Sequence, residues 1–330
     1  MKAIIQRWLV VLLIGFGVIF TVNSEDVAEA EAEAEPETAT LTREEIETIL
    51  DTKFSEGKYS RRGPDGCLRC HDDTSDKPAT GIFDNIHGKS ANIHGPMSDK
   101  QCEACHGPAN NHERNPRKGQ MREPMITFGP SSPVPVEKQN SVCLSCHQDA
   151  ERSTWHSSEH AFEGLSCSSC HQLHQKDDPM MVAELQADKC TDCHIKAKSD
   201  IHKRSSHPVL NGVMTCSNCH NPHQTVNESS LHWSSINDTC FECHAEKRGP
   251  NLWEHEPVTE DCTACHSPHG SVNKAMLNKR LPMLCQECHR VPHANIEIPE
   301  NDMKVRGGSC MNCHTQIHGS NHPRGQALRY

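Results

Sequence analysis

The sequence predicts a repeat array whose core is not built from its own side chains, and three observations carry that prediction. Only 34% of the 330 residues are hydrophobic, twenty cysteines included, and aromatic residues make up 4%. All twenty cysteines fall in C-x-x-C pairs, and each pair is followed at once by histidine. From Cys143 onward the first cysteines recur every 22 to 26 residues, the mark of units that contact chiefly their neighbours.

A chain this polar buries too little apolar surface to offset the entropy of ordering, so something else must supply the core. The cysteine pairs are Cys67 and Cys70, Cys102 and Cys105, Cys143 and Cys146, Cys167 and Cys170, Cys190 and Cys193, Cys216 and Cys219, Cys240 and Cys243, Cys262 and Cys265, Cys285 and Cys288, and Cys310 and Cys313. C-x-x-C alone is also half of a zinc site or a redox motif. The next residue decides: His71, His106, His147, His171, His194, His220, His244, His266, His289 and His314 follow the ten pairs. With 25 histidines in the chain, that outcome has a chance probability on the order of 10⁻¹¹, and C-x-x-C-H is the attachment signature of c-type haem. The two thiols form thioethers with the two vinyl groups on one porphyrin edge, and the adjacent imidazole becomes the proximal iron ligand. Ten motifs imply ten covalent haems c. Their macrocycles act as the missing core, as a structural metal does for a small domain.

The other histidines reveal a coarser repeat. "EHAFEGLSCSSCHQLH" (159–174), "SHPVLNGVMTCSNCHNPH" (206–223) and "EHEPVTEDCTACHSPH" (254–269) each place one histidine seven or nine residues before the first cysteine and another three after the proximal histidine. The intervening motifs lack this flank, so the chain reads as five pairs, each of one plain and one flanked motif. Two flanking histidines per pair give one for every haem. The expected distal ligands are His87, His112, His160, His174, His207, His223, His255, His269, His293 and His318. His94, His156 and His322 are substitutes, whereas His202 and His232 read as surface residues. No methionine recurs at a repeat position. In a helical turn His269 would project to the same side as His266, so it is expected to ligate a neighbouring haem rather than its own.

The N-terminus opens with Lys2 and Arg7, an apolar stretch from Trp8 to Val22 and small residues at a cleavage position, which reads as a signal peptide over 1–24. Fifteen apolar residues are short of the roughly 20 that span a bilayer as a helix. Residues 25–40 form an acidic flexible tether, with seven acids and no base in 25–37. Thr42 and Glu45 make a capping box, and Ile46, Ile49, Leu50 and Phe54 share one face of a short helix over 42–54.

An iron with two protein ligands has no vacancy for substrate, which disfavours catalysis and leaves outer-sphere electron transfer. No C-x-x-C-K occurs, and the chain has only two tyrosines. The expected protein is therefore an electron carrier with no catalytic residue; a multihaem reductase is the weaker alternative.

The motifs, together with "EPMITFG" (123–129), "KQNSVC" (138–143), "KRSSHP" (203–208), "HAEKRGP" (244–250), "LWEH" (252–255) and "HGSNHP" (318–323), resemble the periplasmic decahaem cytochromes of the MtrA/DmsE type, from about residue 41 to the C-terminus. The resemblance implies an elongated multihaem cytochrome c of short helices and coil, with essentially no β-sheet. It implies two pentahaem halves, here 41–204 (haems 1–5) and 205–330 (haems 6–10). It also implies a place inside an outer-membrane β-barrel porin. Electrons would come from a periplasmic or inner-membrane cytochrome donor and go to an outer-surface multihaem cytochrome or terminal reductase, in metal-oxide or dimethyl sulfoxide respiration. A soluble periplasmic shuttle is the alternative, and no nucleic-acid partner is expected. The long insert Glu113–Gln139 reads as a rigid loop, or more sharply as a contact with the barrel wall.

Overall fold

The computed structural model describes residues 41–118, 120–149, 152–224, 227–290 and 309–329. The expected signal peptide, the acidic tether and His293 lie outside them. The described chain is helix and coil: α1 (Arg43–Glu56), α2 (Pro64–Leu68), α3 (Cys102–His106), α4 (Val136–Leu144), α5 (Glu159–Phe162), α6 (Ala183–Thr191), α7 (Ile195–Ile201), α8 (Ile236–Phe241), α9 (Glu256–Glu260) and α10 (Met283–Gln286), joined by 3₁₀ turns. Among the described residues β pairing is limited to four isolated bridges.

The longest helix, α1, starts where the capping box places it: the Glu45 N–H donates to Thr42 Oγ1 while the Glu45 carboxylate accepts from the Thr42 N–H. Ile46 and Leu50 are buried, and they pack against Ile126 and Val134 with Leu41, Phe128 and Val142 alongside. Phe54 is partly exposed, its ring lying beside Gly107, where a Cβ would stand 2.9 Å from the ring and the backbone φ is +78°. Only glycine fits there. Lys53 is buried as well. Its ammonium donates to the Pro124 carbonyl at 2.8 Å and pairs with Glu123 at 3.2 Å; desolvation pushes its pKa down, and the Glu123 charge opposes that shift.

The insert 113–139 thus has a physical role of its own. Its second half, "EPMITFG", is the other wall of the small core under α1, while Arg114, Arg117, Lys118, Met121 and Arg122 stay exposed.

The five-pair reading is written in the backbone. The plain motifs from the second pair onward begin within helices: Cys143 in α4, Cys190 in α6, Cys240 in α8 and Cys285 in α10. Their flanked partners begin on 3₁₀ turns, Cys167–Ser169, Cys216–Asn218, Cys262–Ala264 and Cys310–Asn312. A buried amide side chain on the helix clamps each of the three central pairs. Asn140 accepts from the Cys167 N–H at 2.8 Å, Asn237 from the Cys262 N–H at 2.8 Å, and Gln186 from the Ser217 N–H at 2.9 Å. An unsatisfied buried amide is costly, so these contacts fix which motif lies against which.

The other buried apolar side chains of the described residues are Met97, Ala109, Trp155, Ala187, Ile201 and Leu231, spread thinly along the chain. Such a core cannot order some 290 residues at about 1–2 kcal/mol of backbone entropy each. The full-length chain produced without haem attachment is therefore expected to be largely unfolded. Far-UV circular dichroism checks this, and a native-like helical spectrum would count against it.

Candidate haem-binding site

Each C-x-x-C-H motif forms one turn in which the histidine N–H returns to the carbonyl of the first cysteine, as in His71 to Cys67 at 3.0 Å and His266 to Cys262 at 3.1 Å. The turn sets both sulfurs and the imidazole along one side, as two thioethers and one axial ligand on a single porphyrin require. All thirty motif residues line one continuous cavity of 4640 Å³, several times the roughly 300–1,000 Å³ of a site for one small ligand.

Consecutive motifs are electrostatic neighbours in strict alternation. Within each pair the first cysteines are the neighbours: Cys102 raises the thiol pKa of Cys67 by its proximity, as Cys167 does for Cys143 and Cys216 for Cys190, and as, after burial, Cys262 does for Cys240 and Cys310 for Cys285. Between pairs the second cysteines are the neighbours: Cys105 and Cys146, Cys170 and Cys193, Cys219 and Cys243, Cys265 and Cys288. The series runs without a break from the first motif to the tenth. It crosses the expected 204/205 division through the Cys190–Cys216 pair.

Opposite eight motif histidines stands a second imidazole. The pairs are His147 with His87, His106 with His174, His194 with His160, and His171 with His223; then His244 with His207, His220 with His269, His289 with His255, and His266 with His318. Ring centroids are 5.8 to 6.4 Å apart. A metal–imidazole bond of about 2 Å, plus about 1.1 Å from nitrogen to ring centre, puts two trans imidazoles about 6.2 Å apart. The geometry fits a haem iron between each pair. The pairing has a register: a histidine three residues after one flanked motif, or four in the case of His318, faces the proximal histidine of the preceding flanked motif. A histidine before a flanked motif faces the plain motif that follows it.

His269 therefore faces His220, two motifs back. It does so from a turn rather than a helix, because Pro268 disfavours helical backbone at Ser267, whose N–H is already held by the Met276 carbonyl at 2.7 Å. His112 and His94 also line the cavity, while His156, His202, His232 and His322 do not. His232 Nε2 is bonded to the Ser217 carbonyl at 2.8 Å, and His322 Nδ1 accepts from the Arg324 N–H at 3.1 Å.

Ten of the imidazoles that face the cavity donate Nδ1–H to a carbonyl or carboxylate, which leaves Nε2 for iron. Among motif histidines the acceptors are the carbonyls of Lys77 (from His71), Ile126 (His106), Ser229 (His220), Ala275 (His266) and Ala327 (His314), and the carboxylate of Asp178 (His171). Among flanking histidines, His112 donates to Glu123, His160 to Pro222, His207 to Pro268 and His255 to Ile317. The last three bind the carbonyl just before the trailing histidine of the next flanked motif (His223, His269 and His318), so the two flanking series hold each other. Burial lowers the pKa of His87, His106, His112, His174, His269 and His318, favouring the neutral imidazole that binds metal.

Several contributors escape a reading by motif. Ser229 and Ala275 present their carbonyls from left-handed backbone (φ +53° and +54°), each followed by another left-handed residue. Such strain persists only where surroundings impose it. Asn140 and Asn237 stand at the same offset, three residues before a plain motif, and that recurrence was the available signal.

Against known proteins, residues 102–187 match the model described as cytochrome c-type protein NrfB-like, and 207–249 and 255–293 match the doubled CXXCH motif. The chain is 51% identical to multiheme cytochrome MtrA of Shewanella baltica (strain OS185) over 301 residues, 88% of each chain. This chain belongs to the MtrA family of multihaem c-type cytochromes. It is also 35% identical to cytochrome c-type protein NrfB of Escherichia coli O6:H1 over 42% of this chain and 72% of that one. The NrfB of Haemophilus influenzae is 32% identical over 45% and 69%. As an MtrA-family member the chain carries covalently attached haems c, one per motif, and is an electron carrier rather than an enzyme. Bound haems would supply one-electron iron chemistry; the chain's own residues fix the motif spacing and hold imidazoles at Nδ1.

Replacing His269 by alanine is expected to open one iron per chain. Carbon monoxide binding to the reduced protein should rise to one equivalent, with a matching high-spin band, while His232→Ala leaves both unchanged. No gain on His269→Ala would detach His269 from iron.

Proposed function

We propose that this chain is an electron conduit. It takes electrons from a periplasmic or inner-membrane cytochrome and carries them through an outer-membrane β-barrel porin to an outer-surface multihaem cytochrome or terminal reductase. Every iron in it is held by two histidines. The observation that carries this reading is the unbroken alternating series of neighbouring motifs from Cys67 to Cys310, with imidazole pairs at iron-spanning separation along it. A diffusing shuttle needs one exposed haem at which to load and unload; a ten-site series is what transfer between two separated partners requires, since each hop stays short.

In this reading the ligand sets are the eight ring pairs described above. The two flanking histidines left over, His112 and His293, fall to the two proximal histidines left over, His71 and His314. His112 has the Nδ1–carbonyl bond typical of the other facing imidazoles, which supports its assignment. With no open iron, the chain passes electrons outer-sphere and leaves chemistry on the acceptor to its partners. Export through a cleaved 1–24 segment places it in the periplasm. Among the described residues no helix is long and apolar enough to cross a membrane. Similarity to a protein named MtrA supports the conduit reading.

Fractionating cells that express the native protein tests this. The expected result is outer-membrane fractionation and co-purification with a β-barrel protein, and liposomes carrying both should reduce an external acceptor from an internal donor. A freely soluble periplasmic protein with no barrel partner would favour the shuttle.

A further inference from the structure

Among the five flanked motifs, four proximal imidazoles donate Nδ1–H to a backbone carbonyl. At the fourth motif, His171 instead donates to the carboxylate of Asp178 at 2.7 Å. Asp178 is no surface counter-ion. Its side chain is 12% exposed, and its second oxygen accepts from the Met180 N–H at 3.1 Å, which aims the first at the imidazole. The nearest comparable contact is His244 with Glu246, at 3.7 Å with both side chains more than half exposed, too long for a hydrogen bond and open to solvent. Across the ring, His171 stands nearly parallel to His223, at 10°.

A carboxylate that accepts the Nδ1 proton of an axial imidazole raises its basicity and draws it toward imidazolate. Greater donation and the added negative charge both stabilise ferric over ferrous iron, so the Fe(III) + e⁻ → Fe(II) couple moves to lower potential. We infer that Asp178 is a potential-setting residue that makes haem 4 a low-potential step within the series, set apart from haems 2, 6, 8 and 10, whose proximal imidazoles see neutral carbonyls. The inference rests on His171 as the proximal ligand of that haem, not on the location of the protein. An electron arriving at haem 3 then meets an uphill step before haem 5. Haem 4 stays oxidised while its neighbours are reduced, making this hop the place where the acceptor side's demand controls flow. The Asp178 charge also reaches His87, the imidazole opposite His147, so haem 3 is the next haem to feel it.

Spectroelectrochemical reduction of the purified holoprotein, with Asp178→Asn and Asp178→Glu beside the native chain, tests this. In Asp178→Asn the absorbance amplitude of one haem should leave the low-potential end of the reduction curve and reappear at higher potential. The other haems should keep their positions, apart from a smaller shift of a second one. All irons should stay low-spin without carbon monoxide binding. Asp178→Glu, which keeps a carboxylate in reach, should restore most of the native curve. Superimposable curves for Asp178→Asn and the native protein would overturn the inference. A carbon-monoxide-binding haem in Asp178→Asn would overturn it too, since Asp178 would then only hold the ring in place. Neither result depends on a barrel partner.

Discussion

An iron gripped by two imidazoles is a crosslink between two stretches of chain, and in this account such crosslinks take the place of an apolar core. The paired rings come from segments 34 to 68 residues apart. Each closes a loop whose entropy a chain 34% hydrophobic could not otherwise recover. The one region with an ordinary core, Ile46 and Leu50 of α1 against Ile126 and Val134, shows the contrast. There the insert earns its length by supplying both apolar side chains and the carbonyls of Glu123 and Ile126 that hold His112 and His106.

The same crosslinks bear on function. Because a downstream histidine reaches back to the preceding flanked motif and an upstream one reaches forward to the next plain motif, no unit is complete alone; the cofactors are laced into one series. First-cysteine and second-cysteine neighbours alternate along it, so every motif but the first and the last has a close neighbour on each side. Imidazoles paired at iron-spanning separation opposite eight motif histidines would fill the vacancy a reductase needs there, which favours electron transfer as the chemistry. Differences among sites then come from what holds each imidazole, and Asp178 is where that hold changes from a neutral group to a charged one.

Much of this was legible in the sequence because thioether attachment is local: five consecutive residues carry the signal, and its recurrence cannot be mistaken. The pairing of plain with flanked motifs was legible for the same reason, and it reappears as helix against 3₁₀ turn. Ligand register was not legible, since a histidine three residues past a motif says nothing about which of ten irons it faces. The helical turn expected at His269 gave way to Pro268 and to the Ser267–Met276 bond, a tertiary contact that spacing does not encode. Likewise Ser229 and Ala275 act through backbone carbonyls, which leave no side-chain signature. Asp178 looked like one acid among forty-four, distinguished only by where the fold puts it.

The central claim is that every iron is bis-histidine ligated, and near-infrared magnetic circular dichroism of the oxidised holoprotein, with haem counted by pyridine haemochrome, tests it most directly. The expected result is ten haems per chain, all low-spin, with a charge-transfer band of bis-imidazole energy scaled to all ten. A stoichiometric high-spin iron, or a band at the energy of histidine–methionine ligation, would contradict it.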